Sequence, residues 1–279
     1  MQISLPFNYD FERALERLAG DPVNAVDLQK REVKIPMEEG NVITLRGLGT
    51  TDSPSFLLEN AIDESQVDKV KSFFHFDRRL DTVSDHFRDT NLEKLFVEHA
   101  GTPLIKEFSL YGTLMKSIIH QQLNLAFSHV LTMRFVENSG ENQDGVWRYP
   151  EPEKIAALKV EDLRQLQFSG RKAEYVIGLS RAIVDGNLDL NKFEKMEDEE
   201  IIHEMVAHRG IGPWTAQNFL MFGLGRPNLF PIADIGLQNA LKNIWAMDRK
   251  PTKEEIMEQI PIWKPYLSYA ALYLWRSIE

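Results

Sequence analysis

HRGIGPWTAQNF, residues 208–219, sets two glycines around one isoleucine, adds Pro-Trp-Thr, and then begins an apolar helical pattern. The preceding EEIIHEMVAHRG is itself helical, so one helix ends near His208 and Gly210-Ile211-Gly212 turns the chain. Pro213 sits where proline suits the first turn of a new helix, carried on by Thr215, Ala216, Phe219 and Leu220. The unit is a helix–hairpin–helix. Its turn presents free backbone N–H groups at a helix N-terminus with no side chain in the way, a surface that binds a phosphate oxygen. A plain interhelical turn with a glycine C-cap is the competing reading. The dinucleotide fingerprint is excluded, because helix rather than strand precedes the glycines and Thr215 stands where a third glycine is needed.

Downstream, NLFPIADIGLQNALKNIW places Asp234 just before a helical face of Leu237, Ala240, Leu241 and Ile244. Local chemistry makes Asp234 a helix N-cap. A carboxylate held at a helix start, about twenty residues past a phosphate-binding hairpin, can also serve in catalysis. Upstream, FSLYGTLMKSIIHQQLNLAFSHVLTMRFVE is one long helical pattern with a break near His120, and KAEYVIGLSRAIVDG is a second helix with a glycine stop. Residues 1–85 are different in kind. DFERALERLAG puts Phe11, Leu15 and Leu18 on one helical face, and REVKIPM alternates Val33, Ile35 and Met37 to one side. EEGN turns, VITLRGL returns as a partner strand, SFLLENAI adds a third strand and ESQVDKVKSFFHF a helix. The fold class is therefore α+β: a small antiparallel sheet with helices on one face, then a mainly helical remainder.

The chain has 279 residues, 43% hydrophobic and 27% charged, as in an ordinary soluble globular protein. No apolar run reaches eighteen residues and the N-terminus lacks a basic-then-apolar signal, so neither a membrane nor secretion is expected. Cysteine is absent, which excludes disulfides, thiolate zinc sites and iron–sulfur clusters. His203 and His208, and likewise His120 and His129, are off-register for chelation, so no zinc or iron site is expected. A cytoplasmic location is the default, nucleoid-associated if the source is bacterial. The net charge of -10 argues mildly against nucleic acid, but binding needs only a local cationic face or backbone donors.

GIGPWTA followed by PIAD at this spacing resembles the HhH-GPD superfamily of DNA base-excision glycosylases, and SIIHQQLN, SGRKAEYVIGLSRAI and WKPYLSYAALYLW extend the likeness. Within the family the AlkA type is most similar, strongly over about residues 105–279 and more weakly over the N-terminal region, which resembles that group's TBP-like sheet domain. The resemblance implies three parts: residues 1–89; a helical domain 110–226 carrying the hairpin; and a lobe of 90–109 with 227–279 carrying Asp234, the active site lying between the helical lobes. It implies that Asp234 is catalytic, that Gly210, Ile211, Gly212 and Thr215 hold DNA, and that Trp214 and Trp275 line a base pocket. It further implies a structural sodium or potassium ion on the carbonyls of Val206, His208 and Ile211, no catalytic cofactor, and damaged double-stranded DNA as partner of a monomer.

The chemistry is cleavage of the bond between sugar C1′ and a base nitrogen through an oxocarbenium-like state, which one carboxylate can stabilise while orienting water. An alkylated purine is already a good leaving group and can be held on aromatic faces; core packing is the ordinary use of such tryptophans. Strand-cleaving relatives carry a lysine two residues past the last hairpin glycine. Trp214 stands there, so a monofunctional glycosylase is expected. Flipping a base leaves a gap to fill. Where the AlkA type has a wedge leucine this chain has Gln122, with Leu123 next. Asn218, Ile235 and Arg17 replace aromatic residues of that type, so the pocket is less aromatic and a narrower preference for cationic lesions is expected. Efficient release of neutral hypoxanthine would count against that preference. Two rival functions stay open, a non-catalytic DNA-structure binder and a small-molecule enzyme with an ordinary turn at the glycines.

Overall fold

The computed structural model describes residues 1–37 and 40–279. The N-terminal part is a five-stranded antiparallel sheet in the order β1-β5-β4-β3-β2, built from β1 (Gln2–Ser4), β2 (Ala25–Asp27), β3 (Glu32–Pro36), β4 (Val42–Gly47) and β5 (Ser55–Glu59). The alternation seen in the sequence sets the register: Val33 pairs with Leu45 and Ile35 with Ile43, and all four are buried. The expected EEGN turn includes Glu38 and Glu39, which lie outside the described residues. Strands β1 and β2 are additions to the expected sheet, too short at three residues each for alternation to reveal.

Helix α1 (Phe11–Ala19) starts at the Asp10 N-cap and buries Phe11, Ala14, Leu15 and Leu18 against the sheet. Gly47 makes that approach possible, since a Cβ there would come within 2.7 Å of the Phe11 ring. Helices α2 (Glu64–Phe74), α3 (Leu80–His86) and α4 (Glu93–Glu98) follow. The long helical pattern is indeed broken, into α5 (Leu110–His120) and α6 (Leu125–Ser139). Asn124 causes the restart by capping α6, its side chain accepting from Phe127 N at 2.9 Å.

A hairpin the sequence reading omits comes next, β6 (Glu141–Gln143) and β7 (Val146–Arg148), packed beside β3. Then come α7 (Pro152–Ala156), α8 (Val160–Gln165), α9 (Gly170–Val184), α10 (Asp198–Val206), α11 (Pro213–Phe222), α12 (Ile235–Ile244), α13 (Lys253–Trp263) and α14 (Leu267–Arg276). Helix α14 is buried at every residue from Leu267 to Leu274 and packs on α4, α12 and α13. Tyr273 stacks on Phe96, and Phe96 on Phe87, at centroid separations of 3.7 and 3.9 Å. This rigid bed fixes the last turn of α14, where Trp275 lies, against the start of α12, where Asp234 lies.

Candidate functional site

The hairpin between α10 and α11 has two unlike glycines. Gly210 adopts φ +96°, and a Cβ on it would stand 2.6 Å from the Tyr175 ring. Its smallness therefore serves the turn and the packing, not an approaching ligand. Gly212 has an ordinary extended φ of -100°, caps α11, and has no atom within 4 Å of its missing Cβ. Pro213 occupies the first helical position as expected. The amides of Gly212, Trp214 and Thr215 have no acceptor among the described residues, while Ala216 N reaches Gly212 O at 3.0 Å. Open donors at a helix start, uncovered at Gly212, form an anion-binding edge.

Ile211 turns its side chain into the core, and Thr215 is only 3% exposed. The Thr215 hydroxyl receives Gln121 Nε2 at 3.3 Å, and the same amide donates to Gly210 O at 2.9 Å. What Ile211 and Thr215 offer a ligand is thus backbone, not side chain. Gln121 is the strut that ties the α5–α6 turn to the hairpin. Lys172 Nζ holds that turn from beneath through the carbonyls of Ile119 and Gln121, at 2.5 and 2.7 Å, and burial lowers its pKa. Gln122 is exposed at the tip in the left-handed region, φ +57°. Among the described residues the carbonyls of Val206 and Ile211 accept no hydrogen bond, and His208 O accepts one, from Ile211 N at 3.2 Å. Hard oxygen donors with free lone pairs suit an alkali cation.

Asp234 caps α12 as expected, Oδ1 accepting from Leu237 N at 3.0 Å. Trp275 Nε1 also donates to Oδ1, at 3.0 Å, and Trp214 Nε1 donates to Oδ2 at 3.1 Å. Three donors fix the carboxylate plane, and charge-assisted bonds of this kind are the stronger ones. Asp234 remains half-buried, and Trp214 is 43% exposed at the site's mouth. Oδ1 is spent on two donors, whereas Oδ2 has one and keeps a free lone pair. Asn218 folds back to donate to Trp214 O at 2.9 Å, and Ile235 is exposed beside Asp234.

Behind Trp275 the wall continues. Its ring centroid lies 6.2 Å from that of Phe222, and the central carbon of the Arg17 guanidinium lies 3.6 Å from the Phe222 centroid. Beneath them Lys116 Nζ pairs with Glu107 at 2.9 Å and with Asp21 at 3.2 Å, and Tyr149 donates to Asp21 at 3.1 Å. Burial works to lower the Lys116 pKa, but the two carboxylates outweigh it and hold it above the ordinary value. A cavity of about 620 Å³ is lined by Asp21, Glu107, Tyr111, Trp147 and Tyr149, and does not include Asp234.

Comparison with known proteins places this geometry. Residues 115–265 match the model of the HhH-GPD superfamily base excision DNA repair protein. A relative from Bacillus subtilis (strain 168), "Putative DNA-3-methyladenine glycosylase YfjP", is 52% identical over 283 residues, spanning 100% of this chain and 99% of that protein. The solved 3-methyladenine DNA-glycosylase of Archaeoglobus fulgidus has the same fold, with a TM-score of 0.81, 20% identity, and coverage of 99% of this chain and 97% of that one. The Schizosaccharomyces pombe 3-methyladenine DNA glycosylase Mag1, solved in complex with abasic DNA, gives a TM-score of 0.61 at 25% identity, covering 70% of this chain and 96% of that one. The chain belongs to the HhH-GPD superfamily of base excision DNA repair proteins.

Proposed function

We propose that this chain is a monofunctional DNA glycosylase that excises alkylated purines, of the 3-methyladenine and 7-methylguanine type, from damaged double-stranded DNA and leaves an abasic site. The observation that carries it is Asp234 pinned between the indole N–H groups of Trp214 and Trp275 on the helix that follows an open-amide hairpin. Relatives over the full chain and in DNA-bound form are named as 3-methyladenine glycosylases, which supports the same substrate class.

The hairpin amides at Gly212, Trp214 and Thr215 take a phosphate oxygen, and Gln122 fills the gap left by the extruded nucleotide. The base sits against the tryptophan faces. The C1′–N bond breaks with its electron pair passing to the base, so a cationic alkylated purine leaves neutral. Positive charge grows on the sugar opposite Asp234 Oδ2, which stabilises it and orients water for attack at C1′; the water's proton passes to the carboxylate or solvent. The carbonyls of Val206, His208 and Ile211 would hold a sodium or potassium ion, which adds positive charge beside the bound phosphate. No catalytic cofactor is invoked, and the protein acts as a monomer in the three-part division given above. Trp214 takes the place of the lyase lysine, so the strand stays intact.

The test is release of bases from methylated genomic DNA, identified by mass, with borohydride present in a parallel reaction. Free methylated purines without a covalent protein–DNA adduct are expected. DNA binding with no release would favour the non-catalytic binder.

A further inference from the structure

Arg17 projects from the last turn of α1 onto the aromatic wall of the site. Its side chain is 27% exposed, almost the same as the 26% of Arg226. Arg226 is saturated: it donates to the carbonyls of Phe193, Glu194 and Met196 and pairs with Asp198. Arg17 has a single hydrogen-bond partner among the described residues, Glu107 Oε1 at 3.5 Å. That oxygen already receives Lys116 Nζ at 2.9 Å. A guanidinium carries five N–H donors and no acceptor. With its central carbon over the Phe222 ring, it keeps most of those donors without a protein acceptor among the described residues. Leaving them unmet in a partly dried site is costly, unless an acceptor arrives with the substrate.

The sequence of contacts gives that acceptor a place. Asp234 holds Trp275, Trp275 adjoins Phe222, and Phe222 carries Arg17. A purine whose sugar carbon faces Asp234 and whose ring lies along this wall extends toward Arg17. Resting on the excision reading above, we propose that Arg17 is a specificity-determining residue that recognises the 6-oxo group of the flipped purine. Guanine-derived and hypoxanthine bases carry an acceptor at that position; hypoxanthine offers arginine O6 and N7 together, whereas 7-methylguanine, with N7 methylated, offers O6 alone. Adenine-derived bases carry a 6-amino group, a donor that offers Arg17 no acceptor at that position. 7-Methylguanine and 3-methyladenine are both cationic, so repulsion by Arg17 is shared, and the edge chemistry separates them.

The experiment measures single-turnover release of 7-methylguanine, hypoxanthine and 3-methyladenine by the full-length wild type, Arg17→Met and Arg17→Lys. Methionine keeps a flexible apolar cover on Phe222; lysine keeps the charge and one donor without the fork. Arg17→Met is expected to lower release of hypoxanthine by about ten- to a hundredfold, the size of one good bidentate contact, and of 7-methylguanine by about tenfold, the size of one charge-assisted hydrogen bond, while 3-methyladenine release changes by less than about threefold. Arg17→Lys should restore part of the loss for the 6-oxo bases only. Equal loss for all three bases, or no loss for any, overturns the role of Arg17 and leaves the excision reading intact. A wild type that releases none of them overturns the excision reading, and this one with it.

Discussion

Trp275 Nε1 and Asp234 Oδ1 meet at 3.0 Å across 41 residues of sequence. The same oxygen accepts the Leu237 amide, so one carboxylate oxygen serves the fold while the other stays open toward the site. Under the proposed function, structural and chemical duties are thus divided between two atoms of a single side chain.

That division makes Asp234→Asn a clean substitution. Asparagine Oδ1 can keep the cap and the Trp275 bond, so α12 should persist, while its amide nitrogen gives up only the exposed Trp214 bond, and the melting temperature should fall only slightly. Under the proposed function the negative charge opposite the sugar is lost, and excision should fall by at least about a hundredfold, as when a preorganised electrostatic partner is removed. Affinity for duplex DNA should change little. Circular dichroism melting, single-turnover release and a DNA titration on one preparation decide it. Loss of folding together with activity would reduce Asp234 to a cap.

The two hairpin glycines should separate stability from binding. Gly210→Ala puts a Cβ into the Tyr175 ring at a backbone angle alanine avoids, and should cost about 2–4 kcal/mol. Gly212→Ala meets no atom and no backbone strain, so folding should be unaffected. Its methyl would stand beside the open amides and weaken duplex DNA affinity. Chemical denaturation and fluorescence anisotropy of the two variants check this; equal effects in both assays would contradict it.

Much of this arrangement was legible in the residues. The single face of Phe11, Leu15 and Leu18, the paired alternation of β3 and β4, the break after His120 and the cap at Asp234 are all local patterns, and all appear as read. The hairpin β6–β7 had a signal too, since Asp144-Gly145 is a two-residue turn pair and both adopt positive φ. What could not be read depends on distant partners. Gln121 finds Gly210 across 89 residues, and Trp214 finds Asp234 across 20. Arg17 stood out as a departure from an aromatic position, but nothing local shows that it stacks on Phe222 with its donors unspent.

Acid sensitivity should trace partly to His75. Burial lowers its pKa from 6.5 to about 3, with Arg78 and Lys106 adding repulsion. Below the unfolded value the unfolded chain takes a proton that the folded chain refuses, so stability falls as pH drops from 6.5 toward 3. At pH 5 the loss from this group is about 2 kcal/mol relative to neutral pH. His75 sits at φ +49°, a conformation asparagine tolerates. His75→Asn should therefore flatten the dependence of folding free energy on pH between about 7 and 5, whatever its effect at pH 7. An unchanged slope would show that other groups carry it.

Gln122 offers the last test, because its backbone isolates its side chain. Gln122→Ala keeps the left-handed conformation at the same steric cost, since neither residue is favoured there, and Gln122 makes no hydrogen bond among the described residues. Stability should not change. If the side chain fills the space of the extruded nucleotide, its removal leaves part of the unstacking cost, a few kcal/mol, uncompensated. Excision from duplex should then fall by about tenfold or more, and excision of the same lesion from single-stranded DNA, where there is no stack to open, should fall far less. A fluorescent base analogue beside the lesion reports the flip directly. Equal losses on single- and double-stranded substrate would place the side chain in the chemistry rather than in the gap.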